Sequence, residues 1–445
     1  MRTGNILTKT WYSTVICFCA LMAVANAQNG PVSKYGRLQV TGNKVTAENG
    51  TEISLAGMSL YWSNAAWTTS DFYNKETVDH LAGDWNASIV RAAIGVTETW
   101  DDGRGYLGNN TNFFAAGKTW TTAKEFNQVR LETVIDAAIA NDIYVIVDWH
   151  THEAENYETE AIAFFTDIAK KYGDNDHIIY EIYNEPINQS WTTIKNYSRD
   201  VIAAIRAEDP DNLIIVGTPT WSQDVNLPAA DQSWINDPNL AYTLHFYANT
   251  HKQDLRNKAQ AAMDSGIALF VTEWGSVDAS GNGGFNANET NTWVNFLRSN
   301  KISYVNWSLS DLNETSAVVT FVKDPNNNNS DLKGVERFIN NNLTTPGNFV
   351  KNIIQQQNTL ANPEVTLDGE QIKIYPIPAY DSITVDSKKK IEVLSITDLT
   401  GKLLISKKVN SLHPAISIEN LATGNYILKI EANGKSASTL ITKGL

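Results

Sequence analysis

Cysteine is nearly absent. The 445-residue chain has two, Cys17 and Cys19, and both lie within the first 27 residues. If that segment is removed no thiol remains, which excludes disulfides, Cys-ligated metal and a Cys nucleophile. Positive charge is scarce as well. Against 49 Asp and Glu there are 35 Lys and Arg, a net charge of −14. Neutralising phosphates takes clustered cations, so nucleic acid and anionic lipid are poor partners. No apolar run reaches the roughly 18–20 residues of a membrane-spanning helix, and no membrane span is expected.

What is present is a large apolar and aromatic complement. Hydrophobic residues make up 42% of the chain, with 13 Trp and 17 Tyr. This length accommodates two or three domains, or one large barrel with an appendage, and the tryptophans lean towards stacking on flat ligands. Arg2 and Lys9, the apolar run from Val15 to Val24 and Ala25-Asn26-Ala27 read as a cleavable signal peptide over residues 1–27. The C-terminal end differs in composition. It has no Trp, more Lys than acidic residues, and short strand-like runs such as Ser382–Val385, Ile391–Ile396 and Tyr426–Ile430, broken by Thr400-Gly401 and Asn433-Gly434. That pattern predicts a small β-sandwich over residues 367–445. Gln355-Gln356-Gln357-Asn358 with Ala361-Asn362-Pro363 reads as a linker, residues 356–366, behind a large domain at 28–355.

Within that domain eight apolar runs alternate with amphipathic stretches. The runs are Ile53–Ser59, Ile89–Gly95, Tyr144–Trp149, Ile178–Tyr183, Leu213–Gly217, Tyr242–Phe246, Ala268–Thr272 and Tyr304–Ser308. Strands this apolar suit a parallel sheet covered on both faces. Helical spacing marks Leu131–Ala140, Thr159–Lys171 (with Ile162, Phe165, Ile168 and Ala169 as its apolar face), Ile194–Ala207, Lys252–Asp264 and Glu289–Ser299. The fold class is therefore α/β, a (β/α)8 TIM barrel followed by a small C-terminal β-sandwich. Leu38, Val40 and Val45 around Gly42-Asn43 predict a hairpin that plugs the barrel bottom.

In such a barrel the chemistry sits where the strands end. Those ends carry Arg91, Asp148-Trp149-His150, Asn184-Glu185-Pro186, Trp221, His245-Phe246-Tyr247, Glu273-Trp274-Gly275 and Trp307. Glu185 and Glu273 follow the fourth and seventh strands, which face each other across eight. Glycoside hydrolysis uses such a pair: one carboxyl protonates the leaving oxygen, the other attacks the anomeric carbon or activates water. The plainer alternative makes both glutamates partners of Arg91 and the histidines in a satisfied polar network.

Tyr183-Asn184-Glu185-Pro186 with Thr272-Glu273-Trp274-Gly275 resembles the glycoside hydrolase family 5 cellulases, the endo-β-1,4-glucanases. Leu55-Ala56-Gly57-Met58-Ser59, Val90-Arg91-Ala92-Ala93, Gly217-Thr218-Pro219-Thr220-Trp221, Leu244-His245-Phe246-Tyr247 and Asn306-Trp307-Ser308-Leu309 follow in family order. The resemblance implies that Glu185 is the acid and then the base, and Glu273 the nucleophile. It implies that Arg91 and Tyr247 contact Glu273, that Asn184 bonds the substrate 2-OH, and that His150 and His245 hold hydroxyls or tune the carboxylates. Trp307 would floor the cleaved sugar's subsite and Trp221 would lie on the leaving side. Trp62, His152 and Glu314 complete the expected substrate contacts. Arg91 would pair with the Glu273 carboxylate, and that anion would raise the pKa of Glu185, keeping it protonated for donation.

One departure stands out: Leu312 occupies a position where the family usually has Lys, at a subsite on the non-reducing side. The tail segments Ile374-Tyr375-Pro376-Ile377-Pro378-Ala379, Leu399-Thr400-Gly401-Lys402 and Leu421-Ala422-Thr423-Gly424-Asn425-Tyr426 resemble the type A sorting domain of the type IX secretion system, with Ile377 where Asn is usual. The expectation is a secreted or cell-surface retaining endo-β-1,4-glucanase. It would act as a monomer with no metal and no organic cofactor, and be exported through both membranes by type IX machinery that reads residues 367–445. Three rivals stay open: the same mechanism on mannan, xyloglucan or mixed-linkage glucan; a non-catalytic glycan-binding surface protein; and a metal hydrolase using His150-Thr151-His152. The tail's structural alternative is a carbohydrate-binding sandwich. Tyr61, Trp62 and Trp67 are candidate stacking residues, while Trp100, Trp120, Trp191, Trp234 and Trp293 read as packing.

Overall fold

The computed structural model describes residues 30–65, 69–98, 100, 102–110, 120–322, 334–359, 365–375, 379, 382–399, 401–422 and 424–443. The expected signal peptide with Cys17 and Cys19, Trp67, Ala361-Asn362-Pro363 and Pro376-Ile377-Pro378 lie outside the described residues.

A hairpin of β1 (Gln39–Thr41) and β2 (Lys44–Thr46) precedes the main sheet. Eight parallel strands follow: β3 (Ala56–Leu60), β4 (Ile89–Gly95), β5 (Tyr144–His150), β6 (Ile178–Glu181), β7 (Ile214–Val216), β8 (Leu240–Tyr247), β9 (Leu269–Gly275) and β10 (Tyr304–Leu309). They close into a barrel in chain order, with β10 pairing back onto β3. Several outer helices start where polar side chains satisfy their free amides. Thr122 caps Ala123–Ala140, Ser190 caps Trp191–Glu208 and Asn286 caps Ala287–Ser299. A helix at Lys75–Gly83, unmarked by the sequence reading, starts at the Asn74 cap. Short turns, Pro219–Ser222 and Asn226–Ala229, connect β7 to β8 in place of a long helix.

Alternation along the strands separates two cores. Val90, Ala92, Ile94, Val145, Val147 and Trp149 join the cluster shared with the helices. Ile89, Tyr144, Ile146, Ile179, Ile215, Ala241, Phe270 and Val305 form a second cluster with Leu38 and Val45 of the hairpin, which plugs the barrel bottom as expected. Moving along a strand changes the chemistry of that inward face. Ile89 gives way to Arg91, Ile146 to Asp148 and His150, Ile179 to Glu181, and Ala241 to Thr243 and His245. The barrel floor is thereby apolar and its mouth polar.

The chain continues through Thr345–Thr359, a helix that extends over the first four residues of the expected linker, 356–359. Gln355 to Asn358 are helical, and Gln357 is tied to the barrel: its Oε1 accepts from Arg298 Nε at 2.8 Å and its Nε2 donates to the Ser54 carbonyl at 2.9 Å. The tail forms two four-stranded sheets. One contains β11 (Val365–Leu367), β12 (Glu370–Tyr375), β13 (Ser382–Asp386) and β16 (Ala415–Ser417). The other contains β14 (Ile391–Thr397), β15 (Leu403–Ser411), β17 (Gly424–Ala432) and β18 (Lys435–Lys443). Ile372, Ile383, Val385, Leu394, Ile396, Leu428 and Ile430 share one apolar cluster between them, the sandwich predicted from alternation. Ile162 is half-buried and packs against the helix-side core, and Phe164 joins Phe165, Ile168 and Ala169 among the fully buried residues of Glu158–Tyr172. Among the described residues no helix is long and apolar enough to cross a membrane.

Candidate active site

Arg91, fully buried on β4, is the hub of the barrel mouth. Its Nε lies 2.7 Å from Glu181 Oε2, and its Nη1 lies 3.1 Å from Glu273 Oε2. Its Nη2 donates to Asn184 Oδ1 at 2.7 Å and lies 3.0 Å from Asp148 Oδ2. One cation thus serves three carboxylates. Burial pushes Asp148 and Glu181 up to about 7, with the Arg91 charge opposing it. The same carboxylates outweigh burial at Arg91 and hold its guanidinium above its ordinary value.

Glu273 lies on β9, and a bulge aims it inward. Thr243 of β8 pairs with Phe270 and His245 pairs with Glu273, so two residues on β8 oppose three on β9. Thr272 and Glu273 therefore both reach the barrel interior. Thr272 Oγ1 donates to Glu181 Oε1 at 2.6 Å, and Tyr247 Oη donates to Glu273 Oε1 at 2.7 Å. Each Glu273 oxygen has one donor held from the barrel side.

Glu185 follows β6 and sits between two imidazoles. His245 Nδ1 is 2.8 Å from its Oε1 and His152 Nε2 is 3.5 Å from its Oε2. Burial alone would raise Glu185, yet hydrogen bonds and charge from His152 and His245 hold it well below the usual carboxylate range. The two facing imidazoles thus act on Glu185 in the opposite direction to the one expected from a neighbouring anion. His152, which burial would lower, is pushed up to about 10 by Glu185 and by Glu98, whose Oε1 stands 3.2 Å from its Nδ1. His245 is also raised against its burial, chiefly by Glu185, and its Nε2 lies 2.9 Å from Thr272 Oγ1. His150 behaves oppositely: burial and then the Arg91 charge hold it well below its ordinary value, with Nδ1 2.6 Å from Asp148 Oδ2.

A cleft of about 230 Å³ opens over these groups. Of the expected residues, Glu185, Glu273, His150, His152, Asn184, Tyr247, Trp62, Trp307 and Glu314 line it, while Arg91 and His245 support it from behind. Trp307 stacks on His150 at 5.2 Å and 8°, Tyr61 packs on Trp307 at 5.2 Å, and Trp62 meets His150 edge-on at 4.0 Å. Glu314, raised by burial, accepts from Ser316 Oγ at 2.8 Å. Trp221 stands outside the cleft and is exposed, with its amide bonded to the Pro186 carbonyl at 2.9 Å. It lies in a run of left-handed residues, Thr220, Trp221 and Ser222, with φ of 59°, 52° and 55°, a conformation L-residues seldom adopt. Trp191, Trp234 and Trp293 are buried as expected, but Trp100 is not: it is 48% exposed.

Sequence reasoning missed Glu98, Glu181 and Thr272, and assigned Asp148 no role. A signal for Glu181 was available: it is the one charged residue in Ile178-Ile179-Tyr180-Glu181-Ile182-Tyr183 and shares the inward phase of Ile179. Nothing local marks Glu98 or Thr272. The His150-Thr151-His152 pair is divided, His150 resting on Asp148 and His152 bridging Glu98 and Glu185. Among the described residues the group spaced to hold a metal ion is Glu185, His245 and Glu273, with ligand atoms within 4.8 Å of one another.

Comparison with known proteins bears on the family of the barrel and of the tail. Residues 46–313 match the family described as cellulase (glycosyl hydrolase family 5), and residues 373–443 match a secretion system C-terminal sorting domain. Endoglucanase Z of Dickeya dadantii is 50% identical over 319 residues, covering 72% of this chain and 66% of that protein. An endoglucanase of Clostridium saccharobutylicum is 36% identical over 403 residues, covering 88% of this chain and 82% of that protein. A solved structure from Cytophaga hutchinsonii superposes with a TM-score of 0.63 at 42% identity, covering 74% of this chain and 97% of that one. The catalytic domain of a Thermobifida fusca endoglucanase, solved with cellotetraose, gives 0.63 at 29% identity over 73% of this chain and 99% of its own.

Proposed function

The chain belongs to glycosyl hydrolase family 5, and from that premise we propose that it is a secreted endo-β-1,4-glucanase that cleaves internal bonds of cellulose or a related β-glucan with retention of configuration. One observation carries the reading: an oxygen of Glu185 and an oxygen of Glu273 lie within 4.8 Å of each other. Retaining enzymes hold their carboxyls about 5–5.5 Å apart, whereas inverting ones need about 6.5–9.5 Å to seat a water between carboxylate and sugar.

In this reading Glu273 attacks the anomeric carbon. Tyr247 and Arg91 fix both of its oxygens, so attack costs little reorganisation. Asn184, whose Oδ1 is taken by Arg91, offers its amide NH2 to the sugar 2-OH. Glu185 donates a proton to the leaving oxygen, then removes one from the incoming water. The low pKa of Glu185 and the raised ones of His152 and His245 mean that the three groups hold this proton as a unit. As the glycosidic oxygen takes up negative charge, the proton passes from imidazole through Glu185 to it.

The sign of a pH effect follows. His152 loses its proton only as the pH rises through about 10, so it keeps the unit charged through the neutral range. His152→Asn leaves His245 as the remaining store, and the basic limb of kcat/KM is expected to move to lower pH. Were Glu185 the sole store, removing a neighbouring cation would raise its pKa and shift that limb upwards. A pH–rate profile of the variant on an aryl cellobioside separates the two.

The sorting domain directs the chain to export and a secreted or cell-surface location. The reading takes the catalytic unit to end with the helix at Thr359, the sorting unit to begin at Val365, and the enzyme to act as a monomer. The test of the whole is activity on carboxymethyl cellulose against mannan, with the anomer released from a short glucan followed by NMR. Preference for the glucan and a β product first formed are expected. A preference for mannan overturns the substrate, and an α product overturns the mechanism.

A further inference from the structure

The loop leaving β4 is pinned at several of its described residues. The amide of Tyr106 donates to the Gly95 carbonyl at 2.8 Å, and that of Leu107 donates to the Val96 carbonyl at 3.1 Å. Within the loop, Glu98 Oε1 accepts from Thr151 Oγ1 and from the His152 amide, each at 3.3 Å, besides facing His152 Nδ1. Two residues further on stands Trp100. Among the described residues two tryptophans are exposed, Trp100 at 48% and Trp221 at 44%. Leaving an indole half in water forgoes part of its hydrophobic stabilisation.

Its surroundings indicate a use. Trp100 meets Trp62 edge-on, with ring centroids 5.2 Å apart and planes at 86°. Trp62 lines the cleft and touches His150, which in turn stacks on Trp307. The aromatic wall therefore runs Tyr61, Trp307, His150, Trp62 and then Trp100, the last member lying outside the cleft lining. A β-linked glucosyl ring is flat, with C–H groups on its faces, and packs against indole without any charge.

We propose that Trp100 is a stacking platform for one more glucosyl residue of the substrate chain, the next position beyond the sugars held at Trp62. The inference rests on the β-glucanase reading of the cleft and extends it outward. The edge-on contact with Trp62 holds the indole against the cleft wall, and a surface already in place lowers the ordering cost when the chain docks.

The experiment compares long and short ligands. The ratio of kcat/KM for cellohexaose to that for an aryl cellobioside is expected to fall about tenfold in Trp100→Ala and to recover largely in Trp100→Tyr. An unchanged ratio in Trp100→Ala overturns the platform. Calorimetry on Glu273→Gln, with and without Trp100→Ala, reads the same question without turnover: cellohexaose affinity should weaken about tenfold relative to cellotriose, and equal weakening of both overturns it. Should the wild-type enzyme hydrolyse neither substrate while the affinity ratio still shifts, the glucanase reading fails and the platform stands. Hydrolysis with no shift in either ratio removes the platform and leaves the glucanase reading intact.

Discussion

Glu273→Gln is expected to lower turnover on β-glucan by roughly 10⁴-fold or more, while the protein still folds and still binds cello-oligosaccharides. The size of the loss follows from the role: without the carboxylate no glycosyl ester forms, and what remains is the acid and the binding site. Folding survives because glutamine keeps the shape. Its amide oxygen can accept from Arg91 and its NH2 can face Tyr247 Oη, the two groups that hold the carboxylate now. The measurements are steady-state rate and thermal melting; a variant with near-normal rate refutes the role. The same substitution at Glu185 has another signature. Glu185→Gln is expected to spare the first step on aryl cellobiosides with good leaving groups, and azide should then release a β-cellobiosyl azide. Failure of azide to speed that variant sinks the acid/base assignment.

Arg91→Met is expected to be the most destabilising single change in the barrel mouth. Methionine fills much of the volume but leaves Asp148, Glu181 and Glu273 without their common cation. Breaking one buried pair costs about 3–5 kcal/mol, which for a barrel of this size lowers the melting temperature by roughly 4–7 °C. The deficit is expected to depend on pH, with a definite sign. Asp148 and Glu181 already titrate near 7 in the folded protein, above the unfolded values of about 4. Without Arg91 both rise further, so the native state binds protons that the unfolded chain has released. Stability then falls as the pH climbs from about 4 through 7 and beyond. The gap between wild-type and Arg91→Met melting temperatures should be wider at pH 8 than at pH 5. Equal melting at both pH values would show that the three carboxylates do not depend on Arg91.

Much of this was legible in the chain because it is periodic. Inward and outward residues alternate by two along Ile89–Gly95 and Tyr144–His150, and an apolar run ending in His, Asn-Glu or Glu is visible without coordinates. The helical start of the expected linker was not legible, for the opposite reason. Gln355 to Asn358 look solvated, and only contact with Arg298 and Ser54, distant in the chain, makes Gln357 part of the barrel. Trp100 was misread as packing because composition does not say which side of a loop faces water.

The order of strands, the apolar floor, the polar mouth and the two glutamates were set by the amino-acid sequence alone, since each depends on local period and residue type. The protonation of Glu185 was decided only in three dimensions. His152 reaches it from the loop after β5 and His245 from β8, and the balance of burial against two imidazoles cannot be summed before their distances exist. The same holds for Glu273. A bulge one residue long turns both Thr272 and Glu273 inward, and a strand's register is a property of the pair it forms with its neighbour, not of its own residues.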